Sequence, residues 1–265
     1  MKTLIRYIKL YLHFVSNCTT RELLFRTHLI LSFSARLMLF GLYIMMYDII
    51  YKNAASIGSL NYDQALLYLS IFFLVDTIGF TFFIKNFSTF PEYISEGKLD
   101  IVLTKPVDSQ FFVSMRYFSL TSLFSTLPPL GLFIRQVSRL HISLDPYHLL
   151  IFGLFLVCTL IVYYSIWFIT NLILFWVHRI DALHEFFVTI WRFMQFPPDI
   201  FQNVIRLFFL FIVPILLTIE VPMQALTGST IKISHIFLLV GASVLSLLIS
   251  RILWKMGLRR YQSTG

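Results

Sequence analysis

The sequence predicts an all-α integral membrane protein with six spans, and three observations carry that prediction. Hydrophobic residues make up 58% of the 265 and charged residues only 13%, against about 45–50% and about 25% in soluble globular chains. Mean hydropathy is +0.80, and the apolar residues gather in runs near the roughly 20 residues that a bilayer crossing requires. Basic residues collect at the ends of alternate runs. Too few charges remain to wet a folded surface, so soluble, disordered and disulfide-stapled classes are excluded.

Residues 2–15 set Leu4, Ile5, Ile8, Tyr11, Leu12 and Val15 at helical spacing, with Lys2, Arg6, Lys9 and His13 between them. That pattern predicts an amphipathic helix lying in the membrane interface. A second helix start is expected at Thr19, where Glu22 would close a capping box. The first span covers about 29–50, with no small-residue cleavage site after it, so it reads as a retained span rather than a removed signal. A polar stretch at 51–63 leads to the second span, about 64–84. The third, about 110–134, contains Pro128-Pro129, which should bend or end it near its far side. The fourth, about 147–177, is long enough to tilt.

Beyond Trp176 two readings stand. Either 200–220 is the fifth span, or 183–196 is a short fifth span followed by a re-entrant segment carrying Pro214 and Pro222. Re-entrant backbone requires cover by protein or water. The last span, about 235–254, ends in Arg251, Lys255, Arg259 and Arg260. The chain thus divides into cytoplasmic interface helices (1–28), one transmembrane unit (29–254) with a cytoplasmic loop at 85–109 and a broken region at 183–228, and a tail (255–265). Lys and Arg number thirteen in the segments placed inside and four in those placed outside. Both termini are therefore expected in the cytoplasm.

The 21 basic against 13 acidic residues leave +8. In a membrane protein that excess meets anionic lipid at the span ends, and no nucleic-acid partner is needed. Cys18 and Cys158 suggest neither disulfide nor metal. No histidine pair has H-x-x-x-H spacing, and His178, Asp181, His184 and Glu185 read as interfacial polar residues. No cofactor or metal site is indicated.

The most informative stretch is the loop 85–109. Thr89 and Glu92 suit a capping box, Pro91 a first turn, and Gly97 a left-handed stop. The expected helix of about two turns presents Phe90, Tyr93 and Ile94 beside Glu92 and Glu96. The same pattern also suits an ordinary capped loop helix.

The run Gly97-Lys98-Leu99-Asp100-Ile101-Val102-Leu103-Thr104-Lys105-Pro106 resembles the G-x-L-D-x-x-L-x-x-P stretch of ABC-2 family transporter proteins, the membrane subunits of type-2 ABC exporters. Two further stretches are similar to that family: the proline-punctuated segment Arg192 to Gly228, and Leu258-Arg259-Arg260-Tyr261 with the residues after it. The resemblance implies a permease of the cell (inner, cytoplasmic) membrane that pairs with a separate ABC ATPase subunit and with an identical or paralogous second permease. It makes helix 90–96 the counterpart of the coupling helix, with Phe90, Glu92, Tyr93, Ile94, Glu96 and Gly97 as coupling residues. It also favours the re-entrant reading of 197–228. The chain lacks the G-x-x-x-x-G-K-[ST] array of a phosphate-cradling loop, so it is not expected to be an enzyme, and ATP hydrolysis would come from the partner.

Intramembrane charges are functional candidates by default. Arg36, Asp76 and Arg116 fall at similar depths, roughly 9–12 Å from the cytoplasmic boundary at 1.5 Å per residue. Asp76 is expected to pair with Arg36 or Arg116 and tie the first three spans; alternatively both arginines snorkel to the interface. Two other classes compete. A stand-alone secondary transporter or channel would show midplane charges or an inverted repeat, and a membrane enzyme would need a convergent catalytic set. Neither pattern is evident; the aromatic load reads first as lipid-facing surface and interfacial belt, and a largely apolar lining favours a hydrophobic or amphipathic cargo.

Overall fold

The computed structural model describes residues 2–53, 60–177, 181–197 and 216–262, and their extended regular elements are all helical. Helix α1 runs unbroken from Lys2 to Leu24. The expected new start at Thr19 does not occur, because no glycine or proline interrupts this stretch and Thr20 bonds back to the Ser16 carbonyl (3.0 Å). Leu4, Ile5, Ile8 and Leu12 form an exposed apolar face as expected. Tyr7 and Phe14 face the body, packing edge-on against Phe111 and Phe112.

Among the described residues, four helical stretches are long and apolar enough to cross a membrane: Arg26–Asn53, Tyr62–Ser95, Pro146–Phe175 and Ile233–Arg260. The second is the centre of the bundle, with 67% of its most apolar window buried against 6% in the first and 17% in the last. It begins as α3 (Tyr62–Gly79), closed by an Asn61/Gln64 capping box, and passes through a π-helical turn at Phe80–Ile84 into the short α4 (Lys85–Ser88). We label the first span α2.

The third apolar run is broken. Helix α7 (Ser109–Met115) and the pair α8 (Leu120–Phe124) and α9 (Leu127–Arg139) differ in direction by 62°, and together they would make a fifth crossing. The break falls at residues 116–119 and not at Pro128-Pro129, which occupy the first turn of α9, where a missing N–H costs nothing. Backbone freed inside a membrane must be satisfied by protein. Asn86 accepts from the Tyr117 N–H (2.7 Å) and donates to the Tyr117 carbonyl (2.9 Å). The Ser119 N–H reaches the Thr81 carbonyl (3.0 Å) in the π turn, and Glu22 accepts from the Thr121 N–H and hydroxyl.

Helix α10 (Pro146–Leu172) runs alongside the last span. Next in the chain is α11 (Asp181–Phe193), too short to cross alone. Its Trp191 reaches Asp76 and Tyr163, while Gln195 and Phe196 beyond it meet Tyr47 near the far end of α2, so this segment enters the bundle. Residues 198–215, including Pro214 and most of the 200–220 alternative, lie outside the described residues. Helix α12 (Leu217–Thr227) is almost wholly buried. Pro222 inside it cannot donate to the Thr218 carbonyl, and the Thr159 hydroxyl of α10 takes that acceptor instead (2.6 Å). Gly228, at φ 65°, ends α12 beside His148 at the start of α10. Thus α12 extends from mid-span to one face, after which α13 (Ile233–Arg260) forms the last span.

Candidate functional site

The loop between the second and third spans folds into two short helices. Helix α5 (Phe90–Ser95) starts with Pro91 in its first turn and stops at Gly97, whose φ of 66° suits a residue without Cβ. Helix α6 (Lys98–Leu103) follows, unforeseen from the sequence pattern. The expected capping box does not form, because the Thr89 hydroxyl bonds back to the Lys85 and Asn86 carbonyls.

Helix α5 is also turned differently from the expectation. Phe90 is fully buried against Phe168, Phe175 and Trp254. Tyr93 is buried, and its hydroxyl accepts from Arg116 (2.9 Å). Ile94 is half-buried. A two-turn helix at a membrane surface gains most by burying its largest side chains, so the aromatics became the anchor. Glu92 and Glu96 remain exposed, bridged by Lys98 at 3.5 and 2.6 Å. Such exposed pairs contribute little to stability. In α6, Leu99 and Val102 are buried, while Ile101 (62%) and Leu103 (42%) stand exposed. The free surface is therefore Glu92, Glu96, Ile101 and Leu103.

A polar network missed at the sequence level ties this element to the rest. Asp108 caps α7 through the Phe111 N–H (2.9 Å), and its two carboxylate oxygens face Nη1 and Nη2 of Arg251 in a bidentate pair. Arg251 also donates to Gln110 (2.9 Å), which donates to the Tyr164 hydroxyl (3.2 Å), itself bonded to Ser114 (2.9 Å). From α1, the Tyr7 hydroxyl accepts the Asp108 N–H, and Arg6 reaches the Pro106 carbonyl. Thus α1, α7, α10 and α13 meet at one point, on the face that carries both termini. The available signal was an N-cap aspartate after Lys105-Pro106 and an arginine one turn inside the last span.

Burial alone would raise the Asp108 pKa, but hydrogen bonds from Arg251 and from the Phe111 and Gln110 N–H groups outweigh it and hold the carboxyl below its ordinary range. A lowered folded-state pKa contributes stability above the unfolded value, near 3.9, and loses it as pH falls through the folded value. Asp108→Asn keeps the cap and removes the charge. It should cost about 1 kcal/mol at pH 7, the pair being only partly buried. The gap between the thermal midpoints of wild type and variant should narrow as pH falls below the unfolded value, near 3.9; a gap that stays constant through the acid range would show that the charge contributes nothing.

Among the described residues Asp76 forms no ion pair within 4 Å with either expected arginine, although the charge of Arg36 is near enough to act on it. It accepts from the Trp191 indole N–H (2.8 Å), while Arg36 lies over the Phe80 ring (4.4 Å). Arg116 is held at Tyr93, seventeen residues along the chain from Asp76, because the third span breaks where a straight helix was assumed. Arg36 and Asp76 nevertheless line one cavity of about 700 Å³, with Phe72, Trp167, Trp191 and Arg192. This chamber is aromatic-walled and carries charges of both signs.

No curated protein and no solved structure matches the chain. The family described as ABC-2 family transporter protein matches residues 37–265, which take in the second-to-third span loop, the broken span, most of the aromatic chamber and the last span. With several membrane-length helices around that loop, the chain belongs to the ABC-2 family of transporter proteins and is an ABC-type permease.

Proposed function

We propose that this chain is the membrane-spanning subunit of an ABC exporter. A separate ATPase subunit hydrolyses ATP and grips the α5–α6 element, and the chain works as a dimer with an identical or paralogous permease. The observation that carries this reading is an element between the second and third spans that is exposed on one side and anchored on the other. Glu92, Glu96, Ile101 and Leu103 face outward, while Phe90 and the Asp108–Arg251 pair fasten it to α10 and α13. A push on the outside is thereby delivered to two spans. The grip includes α6 as well as α5, and Phe90 and Tyr93 transmit force without touching the motor.

The aromatic chamber suits the apolar body of a hydrophobic or amphipathic substrate, with Asp76, Arg36 and Arg192 available to its polar part. Both termini lie in the cytoplasm of a cell with the chain in its cytoplasmic membrane. Helices α11 and α12 contribute to the sixth crossing, in keeping with the inward course of α11 and the half-span length of α12.

Co-expression with a partner ATPase tests this reading. Wild type should retain the ATPase through purification. The triple variant Glu92→Lys, Glu96→Lys, Ile101→Asp should reduce the ATPase retained at least about tenfold, in line with loss of interface anchors. Its thermal midpoint should stay near wild type, since all three side chains are exposed. Full retention with normal transport would overturn the proposal.

A further inference from the structure

A second cavity, of about 690 Å³, opens between α1, the start of α2 and the break in the third span. Its charge is one-sided. Arg21, Arg36, Lys85, Lys105 and Arg116 line it, against the single carboxylate of Glu22. Glu22 is already engaged by the Thr121 N–H and hydroxyl. Among the described residues none of the five cations has a carboxylate within 4 Å. Three of them rest on aromatic faces instead: Arg36 over Phe80, Lys105 over Phe112, and Arg116 over Phe112 and Tyr117. Arg116 also donates to Tyr93.

Five like charges around a part-apolar hollow repel one another, and a medium of low dielectric magnifies the cost. A counter-anion relieves it. The cavity lies on the face that holds both termini, beside the exposed apolar face of α1, where a leaflet surface meets the protein. Phe25, largely exposed, and Leu29 supply apolar wall at the rim, while Ser32 and Ser119 supply hydroxyl donors. Guanidinium forks, ammonium groups and hydroxyls are the donor set that phosphate oxygens take. We infer that this cavity binds a phosphate-bearing anion, the headgroup of a leaflet lipid or a free phosphate. It is separate from the aromatic chamber, although Ser32 and Arg36 border both. The inference does not depend on the exporter reading.

The test uses the purified full-length chain in neutral detergent, with thermal midpoint as readout. Phosphatidylglycerol, phosphatidylcholine and inorganic phosphate are added in parallel. A ligand that binds the folded state raises the midpoint, and a rise of about 3–5 °C is expected with phosphatidylglycerol. That rise should vanish in Arg21→Gln/Lys85→Gln and persist in Lys9→Gln/Lys255→Gln, which changes two cations outside the cavity. A rise with phosphatidylglycerol and none with phosphate assigns the lipid headgroup; an equal rise with phosphate assigns the free anion. Equal responses to both lipids with none to phosphate, or a rise unchanged in Arg21→Gln/Lys85→Gln, would overturn the inference. Should that double variant fail to fold, Lys105→Gln, on the exposed loop, must shrink the same rise. Phosphorus carried through purification, lower in Lys105→Gln than in wild type, supplies a second readout; equal phosphorus counts against the site.

Discussion

Asn86→Leu should destabilise the protein by about 2–6 kcal/mol, more than any other polar substitution near the break. Asn86 is fully buried, and its one side chain serves both the N–H and the carbonyl of Tyr117. Leucine keeps the branched shape and heavy-atom count but its methyl groups are bulkier, so overpacking adds to the loss of the two hydrogen bonds. Each buried backbone group left without a partner costs about 1–3 kcal/mol, and Asn86 has no exposed surface through which water could take its place. The third span would then have to straighten into a continuous helix or lose contact with the second. Straightening would move Arg116 away from Tyr93 and pull Asp108 out of line with Arg251. Folded yield by size-exclusion chromatography and thermal midpoint read the stability. Asn53→Leu is the control: that asparagine is exposed and only bonds back to Ile49, so its change should stay within about 0.5 kcal/mol. Equal effects of the two would show that the break does not need the Asn86 clamp.

The same break explains what could be read in advance. The first, second, fourth and last apolar runs were legible as helical because a long apolar run has one outcome in lipid, and four helical stretches long and apolar enough to cross overlap them, the second running on to Ser95. Gly97 and Pro91 were legible because each has a backbone preference that no neighbour alters. The break at 116–119 was not, since Arg116-Tyr117-Phe118-Ser119 contains neither glycine nor proline. Its cause lies thirty residues upstream, in Asn86 and in the π turn that frees the Thr81 carbonyl. The depth assigned to Arg116 failed with it, and so did its pairing with Asp76.

Local cap patterns failed for a related reason. Thr19/Glu22 and Thr89/Glu92 fit the capping spacing, yet both threonines lie where the chain stays helical, and Glu22 was recruited by a helix a hundred residues away. At the candidate site the residue set was partly readable, but its orientation was not. Which of Phe90, Tyr93, Glu92 and Glu96 faces inward depends on the pocket formed by Phe168, Phe175 and Trp254, and those positions meet only in the folded bundle.

Gly79→Ala should cost about 1–3 kcal/mol and also disturb the aromatic chamber. A methyl group there would fall inside van der Waals contact with the Tyr163 ring of α10. Tyr163 is fully buried and stands edge-on to Trp191, with centroids 4.4 Å apart, while Trp191 donates to Asp76. Overpacked cores respond by shifting side chains and backbone, and here the displaced ring presses on the residue that holds the intramembrane carboxylate. Gly153→Ala is the matched control, because nothing lies within 4 Å of its added methyl. That change should be neutral or stabilising by up to about 1 kcal/mol, the ordinary helix-propensity gain. Adding Tyr163→Leu to Gly79→Ala should restore part of the loss, so that the double variant is better than the two single effects summed. Trp191 reports the same displacement through its fluorescence, read in a background where Trp176, Trp167 and Trp254 are phenylalanine. Gly79→Ala as silent as Gly153→Ala would mean that α3 and α10 slide apart freely at this level. The chamber wall would then be a loose contact, and the path from Gly79 through Tyr163 to Asp76 would carry no force.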